Sequence, residues 1–258
     1  MRTLRVCALY PDLMNIYADR GNLLVLERRC VWRGIGFEVS ACGLGEILDT
    51  EAPHDLFYLG GGQDRDQRLC AEDLALLKRE GLRAAATRDA VVLGVCGGYQ
   101  LLGRSYELGV GEELPGVGLL DVRTVREAGP RLIGNVAIEV TCDQGGGTPE
   151  AESAAGLDGA HVLTGFENHG GRTYLGAAQQ PLGRVLKGCG NDGRSGLEGA
   201  RSDNVIGTYL HGPLLPKNVW FADWLIARAL GLDPSELAPL HDELEIAAHR
   251  DARHAAGV

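Results

Sequence analysis

One cysteine lies in a setting typical of a catalytic nucleophile. The segment VVLGVCGGYQLL, residues 91–102, runs from an apolar, strand-like stretch through Cys96 into a predicted helix. Gly94 and Gly98 flank it in a G-x-C-x-G arrangement, which a sharp strand-to-helix turn requires because larger neighbours would collide there. The helix N-terminus would favour a thiolate, and the Gly97 amide would face an oxyanion. We therefore predict that Cys96 is an exposed, ionised nucleophile at the edge of a sheet; the alternative is an ordinary core cysteine.

A run of three glycines is a candidate for completing an oxyanion hole. Gly60, Gly61 and Gly62 close another predicted strand. Without side chains, consecutive backbone N–H groups can converge on a negatively charged oxygen. We expect Gly61 and Gly62 to join Gly97 as oxyanion donors, although most glycine runs are only flexible turns.

The general base for such a thiol must come from the seven histidines of the chain. His211 follows a β-rich run at 205–210 and precedes Gly212, which places it at the carboxyl end of a predicted strand, at the same sheet edge as Cys96. We predict that His211 is the base; the alternative is an ordinary surface histidine. His169, in the polar segment ENHGGR, is a second candidate for lining the site.

The elements that must position these residues alternate between strand and helix in the first half of the chain. Apolar periodicity predicts a strand at 4–10, a helix at 22–34, a strand at 36–42, a strand at 55–60, a helix at 66–89 and a strand at 90–95. This alternation indicates an α/β fold with a mostly parallel sheet flanked by helices, whose sites form at the carboxyl ends of the strands.

The second half of the chain has a different pattern. Strand-like stretches at 118–125 and 131–142 predict additional antiparallel strands, and the polar segment 143–159 is typical of a surface loop. Further strand-like stretches lie at 182–190 and 204–212. An apolar helix at 220–230 precedes a charged tail. We predict one catalytic domain over residues 1–230 and a C-terminal helical extension over residues 231–258.

Composition and charge narrow the classes of function. The 258 residues carry 25 Lys and Arg against 35 Asp and Glu, a net charge of −10, so the average surface field repels nucleic acid and anionic lipid. Apolar runs are far shorter than the ~20 residues of a bilayer span, and the seven cysteines lack metal-ligand spacing. We expect a cytoplasmic protein with no nucleic-acid partner, transmembrane segment, metal site or structural disulfide.

Four segments together resemble the class I, triad-type glutamine amidotransferases, and among them the cobyric-acid-synthase-like branch. They are GVCGGYQLLG at 94–103, GGGQ at 60–63, TGFENHGGR at 164–172 and GTYLHGP at 207–213. Within the branch, the chain is most similar to the amidotransferase subunits of lipid II isoglutaminyl synthase. The resemblance implies the class I amidotransferase-like, flavodoxin-like form of the α/β fold over residues 1–230.

The resemblance also implies a reaction and its residues. L-glutamine would be hydrolysed to glutamate and ammonia, with Cys96 as nucleophile and His211 as base. Arg131 matches the arginine that holds the substrate in the family, and Gln100 and Glu167 would line the site. A guanidinium suits a carboxylate because it binds through two parallel hydrogen bonds; without the resemblance, Arg131 could equally be a surface residue at a strand start.

A partner subunit is part of the same implication. The ammonia would pass to a MurT-like subunit of the Mur-ligase type, which would hold ATP and Mg²⁺ and amidate the D-glutamate of lipid II to D-isoglutamine in peptidoglycan synthesis. This chain has no G-x-x-x-x-G-K-[ST] phosphate loop. We therefore expect no cofactor in this chain and a heterodimer that works at the inner face of the membrane.

One position departs from the pattern of the class. Triad members carry a glutamate two residues after the histidine, whereas this sequence has Pro213. We therefore expect a Cys-His dyad. Either Glu167 or a backbone carbonyl would orient His211, or the free subunit would stay slow until its partner binds.

Two other classes of protein stay open at this point. A PfpI/DJ-1-like thiol hydrolase or chaperone would share the cysteine turn, but there a histidine typically follows the cysteine directly, and this chain has Gly97. A non-catalytic regulatory subunit would tolerate the missing glutamate.

Overall fold

The structure is a computed structural model that describes residues 2–16, 19–48, 53–109, 111–140 and 161–258. The surface loop predicted at 143–159 lies outside the described residues. The strands are β1 (Thr3–Leu9), β2 (Gly36–Cys42), β3 (Leu56–Leu59), β4 (Val91–Val95), β5 (Ser105–Gly109), β6 (Glu112–Pro115), β7 (Val122–Arg126), β8 (Leu132–Val140), β9 (Val162–His169), β10 (Gly171–Leu175), β11 (Gly183–Lys187), β12 (Leu197–Glu198), β13 (Ala200–Ser202) and β14 (Val205–Thr208). The helices are α1 (Arg20–Trp32), α2 (Asp64–Asp73), α3 (Arg79–Thr87), α4 (Gly97–Leu102), α5 (Leu214–Lys217), α6 (Val219–Ala229) and α7 (Glu243–Ala256).

Six strands form the central sheet in the order β13-β14-β4-β3-β1-β2. All neighbours are parallel except the edge strand β13, which runs antiparallel to β14. Strands β3, β4 and β14 are buried at every position, as expected for a parallel sheet that is covered on both faces. The predicted α/β fold with a mostly parallel sheet is confirmed, and its first four strands lie where the sequence predicts them.

The long helix predicted at 66–89 changes its winding in the middle. A π turn at Leu74–Lys78 joins α2 to α3. Lys78 is fully buried there, pairs with Asp73, and places its ammonium 4.8 Å from the centre of the Tyr10 ring. Apolar periodicity does not separate a π turn from an α-helix over so few residues, so the sequence predicts a single helix. Among the described residues, no helix has the length and apolar content needed to cross a bilayer.

The second half of the chain supplies two four-stranded sheets, ordered β10-β7-β5-β6 and β12-β11-β8-β9. Their pairs are antiparallel as expected, except that β5 and β7 are parallel. The sequence pattern does not predict β5, β6, β9 or β10. In β9 the reason is physical: polar residues such as Glu167 and His169 are buried along with the apolar ones, so the alternation that marks a half-exposed strand is missing.

The C-terminal residues fold back onto the rest of the chain. Helix α7 packs against α5, β8 and β9. The His249 Nδ1 atom lies 2.8 Å from the carbonyl oxygen of Lys217 in α5, and the Asn135 side chain donates to the carbonyl oxygen of Ala255 at 3.1 Å. Residues after 231 therefore contact the same segments that surround the end of β14.

Arg29 of α1 connects three parts of the chain, and its removal should destabilise the fold. Its side chain is 1% exposed and contacts Asp223 of α6 at 2.5 Å and Asp242, just before α7, at 2.6 Å. Arg29→Ala leaves Asp242 without this partner, while Asp223 keeps Arg33. We expect the free energy of unfolding to fall by about 2–4 kcal/mol, somewhat less than for a fully isolated buried charge.

Chemical denaturation measures this loss. Arg28→Ala, at an exposed position of the same helix, is the matched control and should cost less than about 1 kcal/mol. Identical unfolding midpoints for the two variants would contradict the assignment of Arg29 as a buried link.

Candidate active site

Cys96 lies in the sharp turn between β4 and α4. Its backbone has a φ of 54° and a ψ of −107°, a conformation that costs a non-glycine residue about 1–3 kcal/mol. A Cβ atom added to Gly94 would lie 2.9 Å from the carbonyl carbon of Gly98, and one added to Gly98 would lie 2.9 Å from the carbonyl oxygen of Gly60. The obstacles are backbone atoms, so the G-x-C-x-G spacing follows from the packing of the turn.

The thiol of Cys96 is buried, which corrects the expectation of an exposed, ionised sulfur. The residue is 6% exposed. Burial, reinforced by the negative charge of Asp19, raises the pKa of the thiol to about 12, whereas the Gly97 amide donates to the sulfur and acts in the opposite direction. Helix α4 has only six residues, and its positive end does not outweigh desolvation. The resting thiol is therefore protonated at neutral pH.

The glycine loop after β3 lies against the cysteine turn. The Gly61 amide donates to Asp19 Oδ2 at 2.6 Å; because this hydrogen bond occupies the amide in the structure, the predicted role of Gly61 as an oxyanion donor finds no support here. The Gly62 nitrogen lies close to the turn, since a Cβ atom added to Gly97 would be 3.0 Å from it. The candidate oxyanion donors are therefore Gly62 and Gly97.

Strand pairing brings His211 to the sheet edge that carries Cys96. Strands β14 and β4 are parallel with Thr208 opposite Val95, and the Cys96 amide donates to the carbonyl oxygen of Thr208 at 2.8 Å. His211 follows three residues later, and its backbone exchanges hydrogen bonds of 3.0 and 3.1 Å with Phe166 of β9. His211 thus lies just beyond the end of the strand next to that of the candidate nucleophile.

The imidazole of His211 is buried and neutral. The residue is 1% exposed. Burial, together with electrostatic interactions with His169 and Lys217, lowers the pKa of His211 to about 4, while Glu167 acts in the opposite direction. An imidazole with such a pKa is unprotonated at neutral pH and can accept a proton.

Glu167, His169 and Gln100, which are predicted to line the site, belong to one buried polar cluster. The Glu167 carboxylate accepts hydrogen bonds of 2.6 and 2.9 Å from the backbone amides at 189–190 and lies 4.0 Å from His169 Nε2. The His169 ring stacks on Tyr209 with 3.5 Å between ring centres, and the Gln100 amide donates to the Tyr209 hydroxyl at 3.1 Å. Glu167 therefore influences His211 by its charge, and Gln100 supports the ring on which His169 rests.

Arg131 lies at a cavity of about 320 Å³ beside the glycine loop. The guanidinium donates to the side-chain and backbone oxygens of Asn168 at 2.8 and 2.7 Å, which fixes its direction. Its positive charge lowers the pKa values of both Cys96 and His211. The cavity suits a small molecule that bears a carboxylate; its lining residues are Ile16, Gly62, Gln63, Asp64, Arg65 and Arg131.

Sequence reasoning missed two buried carboxyl groups that act on Cys96. Asp19 is 1% and Glu198 0% exposed, and burial raises the pKa of each to about 7. Glu198 accepts hydrogen bonds from the Thr208 hydroxyl at 2.5 Å and the Tyr209 amide at 2.9 Å. In the sequence, both residues lie close to glycines. This pattern is typical of exposed turns, so it does not indicate that the two carboxyl groups are buried.

The remaining cysteines that the structure describes form no arrangement that suggests a cofactor. All cysteines of the described ranges are free thiols: Cys7, Cys30, Cys42, Cys70 and Cys96 are buried, and Cys189 is half-buried. Within the same ranges, no group of three or more His, Cys, Asp or Glu side chains could hold a metal ion.

Comparison with known proteins shows similarity to one domain family and to proteins of two kinds. Residues 5–219 match the CobB/CobQ-like glutamine amidotransferase domain family. The chain is 36% identical over 227 residues to the glutamine-hydrolysing lipid II isoglutaminyl synthase subunit GatD of Streptococcus pneumoniae, covering 88% of this chain and 80% of that protein. For GatD of Staphylococcus aureus the identity is 36% over 255 residues, covering 96% and 94%. A cobyric acid synthase of Pelotomaculum thermopropionicum is 40% identical over 152 residues, covering 55% of this chain and 27% of that protein.

The buried thiol should make Cys96 slow to alkylate in the free subunit. Because its pKa is raised, the thiolate fraction at neutral pH lies far below that of an ordinary cysteine, whose pKa is about 8.5. We expect iodoacetamide to modify Cys96 at least about tenfold more slowly than an unfolded peptide thiol, with a rate that still rises above about pH 9. Mass spectrometry of the Cys96 peptide over a pH series measures the rate, with half-buried Cys189 as internal comparison. A rate that levels off near neutral pH would show an ionised thiol instead.

Proposed function

This chain belongs to the CobB/CobQ-like glutamine amidotransferase family, and on that basis we propose that it is the glutamine-hydrolysing subunit of a lipid II isoglutaminyl synthase. The observation that carries its chemistry is the parallel pairing of β14 with β4, which brings Cys96 and His211 to one edge of the sheet. The acceptor is inferred from the two GatD relatives, which match 88% and 96% of the chain.

The reaction would begin with proton transfer from the Cys96 thiol to His211. The resting thiol is protonated and the imidazole is neutral, so the thiolate forms as the proton moves. The sulfur attacks the carboxamide carbon of glutamine, and the charge that develops on the oxygen is stabilised by the Gly62 and Gly97 amides. His211 then donates its proton to the departing nitrogen, which leaves as ammonia, and a thioester remains on Cys96.

Water completes the cycle. A water molecule attacks the thioester carbon while neutral His211 takes its proton, and the C–S bond then breaks. His211 returns the proton to the sulfur, and glutamate leaves. One glutamine and one water thus become one glutamate and one ammonia.

The proposed site is a Cys-His dyad, because Pro213 stands where triad enzymes carry a glutamate. The backbone bridge to Phe166 holds the segment of His211. The negative charge of Glu167 raises the pKa of His211 against the stronger effect of burial, so it would stabilise the imidazolium that forms during turnover.

The ammonia would be used by a MurT-like, Mur-ligase-type partner that binds ATP and Mg²⁺. Both GatD relatives are named as subunits of a synthase, which supports a partner of this kind. The partner would activate the D-glutamate carboxylate of lipid II and form D-isoglutamine, a step of peptidoglycan synthesis and cell-wall biogenesis. In this heterodimer, at the inner face of the membrane, our chain binds L-glutamine and meets lipid II only through its partner.

Cys96→Ala should separate the production of ammonia from its use. With partner and ATP present, glutamine-dependent amidation should fall by at least about a thousandfold, because the nucleophile is lost. Ammonium chloride should still support amidation at close to the wild-type rate. His211→Asn should show the same pattern, and Arg184→Met, at an exposed position of β11, should behave as wild type. Ammonia release and the mass of the amidated product are the measurements.

The outcomes of this experiment discriminate between the classes of function. Glutamine-dependent activity in Cys96→Ala would refute the cysteine assignment. A wild-type chain that releases no ammonia, with or without its partner, would favour a regulatory subunit.

Arg131→Met should weaken glutamine binding without changing the chemical step. The loss of a charge-assisted, two-pronged hydrogen bond to the α-carboxylate should raise KM at least about tenfold, with kcat within about threefold. Arg131→Lys should have a KM between those of the wild type and Arg131→Met, since lysine keeps the positive charge but cannot form two parallel hydrogen bonds to the carboxylate. Steady-state kinetics measure both constants, and Arg184→Met, at an exposed position of β11, is the control. An unchanged KM would remove Arg131 from the binding site.

A further inference from the structure

Asp19, the residue immediately before α1, is hydrogen-bonded to the glycine loop. Asp19 Oδ2 accepts the Gly61 amide at 2.6 Å, and the Tyr58 hydroxyl donates to the same carboxyl group. The loop packs directly on this group, since a Cβ atom added to Gly60 would lie 2.8 Å from Asp19 Oδ2. The direction of the Gly61 amide, and with it that of the next amide in the loop, is therefore determined by Asp19.

The first turn of α1, next to Asp19, contacts the segment that follows His211. The Asn22 side chain donates to the Tyr58 hydroxyl at 2.8 Å and, through its oxygen, accepts the Leu215 amide at 2.8 Å. Gly21 packs against Pro213, because a Cβ atom added to Gly21 would lie 2.8 Å from the Pro213 ring. A continuous chain of hydrogen bonds thus runs from the glycine loop, through Asp19, Tyr58 and Asn22, to α5.

Ionisation of the Asp19 carboxyl group does not stabilise the fold. Asp19, Asn22 and Tyr58 are 1%, 0% and 4% exposed. Burial raises the pKa of Asp19 to about 7, so above the pKa of the unfolded chain its ionisation opposes folding. An apolar side chain of similar volume would avoid this desolvation, but it would leave the Gly61 amide and the Tyr58 hydroxyl without an acceptor. What Asp19 supplies that such a side chain could not is an acceptor for the amide of the loop.

We propose that Asp19, Tyr58 and Asn22 form a positioning cluster that sets the oxyanion amides of the glycine loop relative to the segment that carries His211. This inference rests on the proposed glutaminase function. The Gly61 amide is held by Asp19, which leaves Gly62 next to Gly97. A displacement of about 1 Å in such donors is enough to slow a reaction by up to about a hundredfold.

Two reagents acting on Cys96 test the positioning. Iodoacetamide requires only the thiolate, whereas a diazoketone analogue of glutamine also requires binding and stabilisation of its oxyanion. The thiolate fraction enters both rates and cancels in their ratio. A change in the charge near the sulfur, which Asp19 variants cause, therefore leaves the ratio unaffected.

The variants are Asp19→Ala, Tyr58→Phe and Asp19→Asn, measured in the chain with its partner. Asp19→Ala and Tyr58→Phe should lower kcat about tenfold to a hundredfold with KM within about threefold, and should lower the reagent ratio at least about tenfold. Asp19→Asn keeps an acceptor for the Gly61 amide and should restore the ratio to within about threefold of wild type. Tyr174→Phe removes a hydroxyl that bonds to Glu127 and is the matched control, expected to leave the ratio and kcat unchanged.

The outcomes distinguish failure of the positioning role from failure of the proposed function. An unchanged ratio in both Asp19→Ala and Tyr58→Phe, in a wild-type background that hydrolyses glutamine, would overturn the positioning role and leave the proposed function standing. A wild-type chain that neither releases ammonia nor reacts with the diazoketone would overturn the proposed function and this inference with it. Thermal unfolding identifies a variant that does not fold, and if Asp19→Ala is one, Tyr58→Phe and Asp19→Asn decide.

Discussion

The parallel register of β3, β4 and β14 is the constraint on which the candidate site depends. Parallel strands end at the same edge of a sheet, so the glycine loop after β3, the cysteine turn after β4 and the histidine after β14 meet although the chain separates them widely. The tight packing of Gly98 on the carbonyl groups before the glycine loop then sets the distance between two of these segments. A change that shifts one of these strands therefore also displaces the site residues that follow it.

Desolvation determines the protonation states at this edge. The same burial that raises the pKa of Cys96 lowers that of His211, because low polarity disfavours charge of either sign. Nucleophile and base therefore rest as a neutral pair. In the proposed mechanism, such a site reacts slowly with adventitious electrophiles and becomes active when a bound substrate aligns the proton transfer with bond formation.

The polar groups around the pair come from parts of the chain that do not belong to the parallel sheet. Strand β9 carries Glu167 and His169 and is bridged to His211 through Phe166. The N-terminal end of α1 supplies Asn22, and Asp19 lies immediately before it. Helix α7 contacts the carbonyl oxygen of Lys217, which follows His211 in the chain. The central sheet thus sets the positions of the candidate nucleophile and base, while the added elements influence their charge and direction.

The sequence by itself determined features that depend on residues close together in the chain. The G-x-C-x-G turn, the alternation of strands and helices, and the place of His211 after a strand all follow from patterns within a few residues, and the structure has each of them. The burial of the Cys96 sulfur, the binding of the Gly61 amide to Asp19, and the convergence of Asp19, Tyr58, Asn22 and Leu215 were decided only by the tertiary structure. The physical reason is that solvent exposure and hydrogen-bond partners depend on groups that are distant in the chain, and no local pattern records which of them will meet.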